Sequence, residues 1–196
     1  YQKSHSLHFQ NTQQVIIIIG KPTIPHGHID DIILRLIGCH IGVGMSSVLF
    51  KSLREKHGVA YEVGVYNPIR EGNSPFIIHA STTEEKASLT LKLLKECWNS
   101  IIDKKISEKD LDLAKGKFKG QIAHSLQSIS QQAERKVHLL GLRLEEDLDN
   151  IYLTRMNSIT SSEIQKCAKD HLRNPLLSIC GPRKTLEKLS NKINIK

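Results

Sequence analysis

Apolar positions along the chain change period several times, and each change marks an element. Val15 to Ile19 form an unbroken β-branched run between polar Gln14 and the breakers Gly20 and Pro22, which predicts a buried strand over 14–20. Residues 1–13 before it are polar and unpatterned, and read as an N-terminal extension. The stretch 21–27 carries two prolines and reads as a connection. From Asp30 onward Ile33, Leu36, Ile37 and His40 recur at helical spacing, so a helix is predicted that closes at Gly42 and Gly44. A second helix over 46–57 places Leu49, Phe50 and Leu53 on one face and ends at Gly58.

Residues 61–66 alternate and residues 75–82 contain Phe76, Ile77, Ile78 and Ala80. Pro68, Gly72 and Asn73 lie between them, so the two runs read as a hairpin. The period then lengthens: Ala87, Leu91, Leu94, Trp98 and Ile101 form a helical stripe, with Thr82 and Glu85 spaced as a capping box. Ser107 and Asp110 open a further helix carrying Leu111, Ala114, Phe118, Ile122 and Leu126. Helices are also predicted over 131–144, 148–156 and, after a Thr160/Glu163 box, 164–172. A strand over 176–180 ends in Gly181-Pro182, and a closing helix turns Leu186, Leu189 and Ile193 inward. No repeat or long linker divides the chain. The expected fold is one α+β domain over 14–196, a mainly antiparallel or mixed sheet with several long helices packed on it.

Composition narrows the class. Of 196 residues 39% are hydrophobic and spread throughout, which excludes a disordered chain, and no apolar run approaches membrane-spanning length. The four cysteines are far apart, without a C-x-x-C pair, so buried, reduced thiols and a cytoplasmic setting are expected, not a disulfide framework or a zinc knuckle. The first residue, Tyr1, reads as the start of a mature product or of a piece of a longer protein.

The ten histidines raise the question of a metal, yet neither H-E-x-x-H nor H-x-x-E-H occurs. The nearest grouping, His26-Gly27-His28 followed by Asp30 and Asp31, lacks a third soft ligand in the local sequence, and no metal is assigned to this chain. His40, His124 and His138 read as partly buried helical residues. Gly42-Val43-Gly44-Met45-Ser46-Ser47 precedes a helix, as a phosphate cradle does, but it lacks the Lys-Ser/Thr of a P-loop and does not follow a strand. It reads as a tight turn that lets two helices approach. The net charge of +8 includes Lys184, Lys188, Lys192 and Lys196, spaced every four residues, and the cluster Lys115, Lys117 and Lys119. Aromatic residues are only 5%, too few for a base-stacking surface, so these lysines read as solvated faces.

The segment from Gly42 to Tyr61, GVGMSSVLFKSLREKHGVAY, resembles the second-domain signature of the insulinase/pitrilysin family of zinc metallopeptidases, which includes mitochondrial processing peptidase. The strand ending at Gly20, the strand 76–83 feeding a long helix, Ser107-Glu108-Lys109-Asp110-Leu111 with Ala114-Lys115, and the closing Gly181-Pro182 agree with it. The resemblance implies a non-zinc-binding half-domain of the LuxS/processing-peptidase-like type. Such domains pair with a catalytic domain of the same chain or of a partner subunit, as homo- or heterodimers, around a chamber that takes peptide substrates. Zinc and its H-x-x-E-H helix then belong to the partner domain, and this domain has no cofactor and no peptidase activity alone. The family's processing-peptidase regulatory subunit has a longer glycine-rich loop, of which only Gly42 and Gly44 remain, and His40 and Val43 replace residues that are usually apolar or glycine.

The resemblance further implies that Arg54 and Tyr61 match the arginine and tyrosine sent across the chamber toward the scissile region. A phenol can donate to a developing oxyanion, and a guanidinium can hold a substrate carbonyl. From spacing alone the same residues read as a surface ion pair for Arg54 and half-buried sheet packing for Tyr61. The alternative function is a basic protein- or nucleic-acid-binding module that uses the Lys184–Lys196 stripe.

Overall fold

The computed structural model describes residues 4–190 and 193. Five strands form one sheet in the order β1-β5-β2-β4-β3, with β1 His5–Phe9, β2 Val15–Pro22, β3 Glu62–Tyr66, β4 Pro75–Thr82 and β5 Leu176–Gly181. Every neighbouring pair is antiparallel except β1 with β5, so the sheet is mixed, as expected. The period of two sorts the side chains: Val15, Ile17 and Ile19 of β2, Phe76, Ile78 and Ala80 of β4, and Leu177 and Ile179 of β5 are buried on one face, while Ile16 is exposed on the other. Ile17 lies opposite Ala80 on one side and Ile179 on the other, which makes β2 the central register strand.

The helices are α1 Asp31–Gly42, α2 Ala87–Asp103, α3 Glu108–Ser125, α4 Ile129–Gly141, α5 Leu148–Met156, α6 Ser161–His171 and α7 Arg183–Ser190; α1, α2 and α7 pack on the sheet, α3, α5 and α6 on α1 or α2, and α4 on α3. α1 is apolar nearly all round because it packs against α3, α6 and β3 together. Trp98 of α2 is fully buried, meets Phe76 edge-on at 6.1 Å between ring centroids, and donates its indole N–H to the Leu172 carbonyl at 3.1 Å. Leu186, Leu189 and Ile193 are buried as expected. Lys184 and Lys188 are exposed on α7, and Lys192 and Lys196 lie outside the described residues. Among the described residues no helix is long and apolar enough to cross a membrane.

The structure corrects four local readings. Residues 5–9, read as part of a polar unpatterned extension, form β1; only Leu7 tucks partly against the core, so this edge strand has no apolar stripe to betray it. Thr82 does not cap α2. It ends β4, and its hydroxyl donates to the Val59 carbonyl at 2.5 Å while accepting from Thr90 at 3.1 Å; the actual N-cap, Lys86, makes no side-chain cap bond. The helix read over 46–57 is mostly a π-helix, Phe50–Lys56, that keeps Leu49 and Leu53 buried. α4 starts earlier than read, at Ile129, because Ser128 and Gln131 form a reciprocal capping box. The Thr160/Glu163 box forms as expected, and the Ser107 side chain accepts from the Asp110 N–H.

The two glycines of the turn have different reasons. Gly44 has φ +75° and open space around it, so it serves the left-handed turn. Gly42 serves a close approach, but to β3 and not to the second helix: a Cβ there would lie 2.4 Å from Val65 Cγ2 and 3.0 Å from its backbone nitrogen. Gly42→Ala must therefore push the end of α1 off β3 and is expected to lower stability by about 1–3 kcal/mol, read as the unfolding midpoint in urea. An unchanged midpoint would mean that Val65 yields freely.

Candidate functional site

Arg54 and Tyr61 sit on the two sides of a chain reversal. Leu53, fully buried, pins the π-helical turn that carries Arg54. The Gly58 N–H then donates to the Arg54 carbonyl at 3.2 Å, and the Val59 N–H to the Leu53 carbonyl at 2.8 Å. Gly58 takes φ +56°, the left-handed conformation that reverses the chain. Side chains from β4 and α2 hold the reversal from behind. Lys86 Nζ donates to the Gly58 carbonyl at 2.9 Å, and the buried hydroxyls of Thr82 and Thr90 reach the Val59 carbonyl. The Tyr61 N–H donates to the Ser81 carbonyl at 2.9 Å, which starts the β3–β4 pairing. A rigid backbone thus presents two exposed side chains.

Tyr61 is 61% exposed, not half-buried in the sheet. Among the described residues Arg54 makes no ion pair; its guanidinium stacks on the Phe50 ring at 5.0 Å from the centroid. The two side chains share no hydrogen bond or ring contact. Arg54 lines an open cleft of about 550 Å³ with Met45, Ser46, Phe50, Lys51 and Glu55, next to the turn that contains Gly44. Tyr61 is not among its lining residues. Gly42 and Gly44 do not line this cleft, whose Met45 and Ser46 follow directly after them in the turn.

A second arrangement was not legible in the sequence. The His26/His28 pair splits: His26 turns inward and His28 stays exposed, with its Nδ1 accepting the Asp30 N–H at 3.1 Å. Buried Asp31 accepts Arg35 Nε at 2.9 Å and the Tyr152 hydroxyl at 2.8 Å at Oδ2, which also lies 2.5 Å from His26 Nδ1, and Arg35 Nη2 stands 2.8 Å from that same ring nitrogen. Tyr152 in turn accepts the Gly27 N–H at 3.1 Å. This network ties the connection after β2, the start of α1, and α5 to one carboxylate. Asp31 and Arg35 are four apart on α1 and so were findable in the sequence, but Tyr152 lies 121 residues away.

Burial pushes the His26 imidazole down, against the opposing pull of its Asp31 bond. Burial pushes the Asp31 carboxyl up, but the His26 hydrogen bond and the Arg35 charge outweigh it and hold the group below its ordinary value. Both shifts have the same sign for stability. A group with a lowered folded pKa takes its proton first in the unfolded chain, so acid favours unfolding. Stability is expected to fall as the pH drops below 6.5, where unfolded histidine charges, and again below 3.8, where unfolded Asp31 protonates. Urea unfolding between about pH 8 and pH 5 checks the first step, with His26→Gln flattening the slope. An equal slope in the variant would assign the loss to other groups.

The model of the peptidase M16 inactive domain matches residues 2–118, which is more than half of the chain and includes both Arg54 and Tyr61. This chain belongs to that family. The M16 inactive domain described here is 26% identical over 179 residues to an uncharacterized zinc protease of Streptomyces coelicolor, covering 89% of this chain and 38% of that protein. It is 29% identical over 126 residues to an uncharacterized zinc protease of Rickettsia felis, covering 64% of this chain and 30% of that protein. Its fold matches the crystal structure of a peptidase M16 inactive domain from Pseudomonas fluorescens with a TM-score of 0.81 at 19% identity, over 91% of this chain and 43% of that one. The chain thus spans less than half the length of these relatives.

Proposed function

We propose that this M16 inactive domain completes the peptide-binding chamber of a zinc endopeptidase and contributes Arg54 and Tyr61 to substrate binding near the zinc held by a catalytic partner domain. The observation that carries the reading is the buttressed reversal from Leu53 to Tyr61. Buried Thr82, Thr90 and Leu53 fix its backbone, yet the residues it displays are solvent-facing and make no ion pair among the described residues. A purely structural turn has no need of an exposed phenol beside an exposed guanidinium. The catalytic partner is a domain of the same chain or another subunit, in a homo- or heterodimer. The four cysteines are free, which fits a reducing, cytoplasmic setting.

In this arrangement the partner's zinc supplies the Lewis acid and the activated water. Tyr61 is a neutral donor for the oxygen that becomes charged during attack, and Arg54 positions the substrate carbonyl. A guanidinium stacked on Phe50 loses little further freedom when it binds, so its contribution is orientation. The chain alone is expected to cleave no peptide, whereas the intact protein or the reconstituted complex does. Measuring hydrolysis of a mixed, unfolded peptide substrate by both checks this; zinc-dependent cleavage by the chain alone would overturn the assignment of the chemistry to a partner.

A further inference from the structure

A separate cluster lies where α6 passes the loop before α1. Asp30, Cys167 and His171 each turn one donor atom to a common point, and the three donors lie within 4.8 Å of one another. Cys167 and His171 are four apart and so share one face of α6, while Asp30 arrives from a loop 137 residues earlier. Asp30 Oδ2 is 3.0 Å from His171 Nε2, and the Cys167 thiol faces the Asp30 backbone carbonyl at 4.0 Å. The Asp30 side chain occupies the N-cap position of α1 but makes no capping bond, so its carboxylate is turned to the histidine instead.

From this geometry we infer that Asp30, Cys167 and His171 bind one zinc-class divalent cation. Two donors on a tetrahedral zinc, with bonds of about 2.0–2.3 Å, stand roughly 3.3–3.8 Å apart, so the cluster needs only a small adjustment to close on the ion. One sulfur, one nitrogen and one oxygen donor favour zinc or cobalt over magnesium or calcium, which take oxygen. Burial first, then the Asp30, Asp170 and Asp31 carboxylates, push the Cys167 thiol up, so it stays protonated until a metal displaces the proton, while the same carboxylates add negative potential at the sulfur. That field favours a cation. Binding forms the sulfur–metal bond and releases the thiol proton to solvent, while His171 offers the lone pair of Nε2.

Cys167 is buried, at 3% exposure, whereas the side chains of His171 and Asp30 are 20% and 31% exposed and provide the entry path. The exposed His28 ring stands edge-on to His171 at 6.2 Å. Bound metal would lock α6 to the loop that starts α1, a structural tie that does not depend on the chamber reading. Sequence inspection passes over the cluster because its local part, C-x-x-x-H, lacks the second nearby pair by which zinc sites are recognised.

The test loads the metal-stripped intact protein with cobalt(II) and records its absorption spectrum. The expected result is a saturable thiolate-to-cobalt charge-transfer band that zinc displaces. Cys167→Ser should abolish this band, and His171→Gln should weaken cobalt binding at least about 10-fold while leaving the fold intact. The band reports a sulfur ligand, so cobalt in an H-x-x-E-H site of the partner domain does not produce it. No such band in the wild-type protein, or the same band persisting in Cys167→Ser, would overturn the inference. Unaltered cobalt affinity in His171→Gln would do so even if Cys167→Ser failed to fold.

Discussion

Asp31→Ala is expected to remove about 3–5 kcal/mol of folding stability, a severe loss for one side chain. Asp31 is 2% exposed, and a single oxygen meets His26, Arg35 and Tyr152. Truncation strands the Arg35 guanidinium in a largely buried place without its carboxylate, with only His26 Nδ1 beside its Nη2 at 2.8 Å, and leaves the Tyr152 hydroxyl without its acceptor. The cost is dominated by these abandoned partners rather than by any net strength of the pair, because a buried charge without a counter-charge is the expensive state. Tyr152→Phe removes one of three partners of Asp31 and the acceptor of the Gly27 N–H, strands no charge, and should cost only about 1–2 kcal/mol. Equilibrium unfolding in urea near neutral pH compares the two; similar losses would show that the carboxylate is not the hub of the network.

The strength of that network also indicates what was readable in the chain. β2 and β4 are legible because one alternating face is fully buried, and α2 because its stripe from Ala87 to Ile101 has no competing period. β1 was not, since an edge strand joined by parallel pairing to β5 needs only Leu7 against the core. Capping signals split in the same way. Thr160 and Glu163 meet locally and form their box, but Thr82 with identical spacing is drawn into the β4–α2 contact, where the Val59 carbonyl needs a donor. Gly42 could be recognised as a constrained glycine, yet only the packing shows that its neighbour is Val65.

The site divides likewise. Arg54, Gly58 and Tyr61 are close in sequence, and the reversal between them follows from one glycine and two buried flanking residues. The clamps from Thr82, Thr90 and Lys86 lie 23 to 31 residues on and have no sequence signal. The His26–Asp31–Tyr152 and Asp30–Cys167–His171 clusters depend on contacts across more than 100 residues, so their chemistry appears only once α5 and α6 have docked on α1.

Because Arg54 and Tyr61 are exposed and their backbone is held by other side chains, replacing them separates function from folding. Arg54→Ala and Tyr61→Phe should leave the unfolding midpoint within about 0.5 kcal/mol of the parent protein. Tyr61→Phe deletes only a hydroxyl. If that hydroxyl meets the developing oxyanion, kcat falls about 10²-fold with little change in KM. Arg54→Ala removes a group that holds the substrate carbonyl before and during attack, so its effect falls mainly on KM.

The most direct measurement is the steady-state hydrolysis of an extended peptide by the intact or reconstituted zinc peptidase carrying Arg54→Ala and Tyr61→Phe, singly and together. The account predicts a kcat-led loss for Tyr61→Phe, a KM-led loss for Arg54→Ala and a kcat/KM far below either parent value in the double variant. Full turnover by a correctly folded double variant would reduce both residues to surface features of the inactive domain.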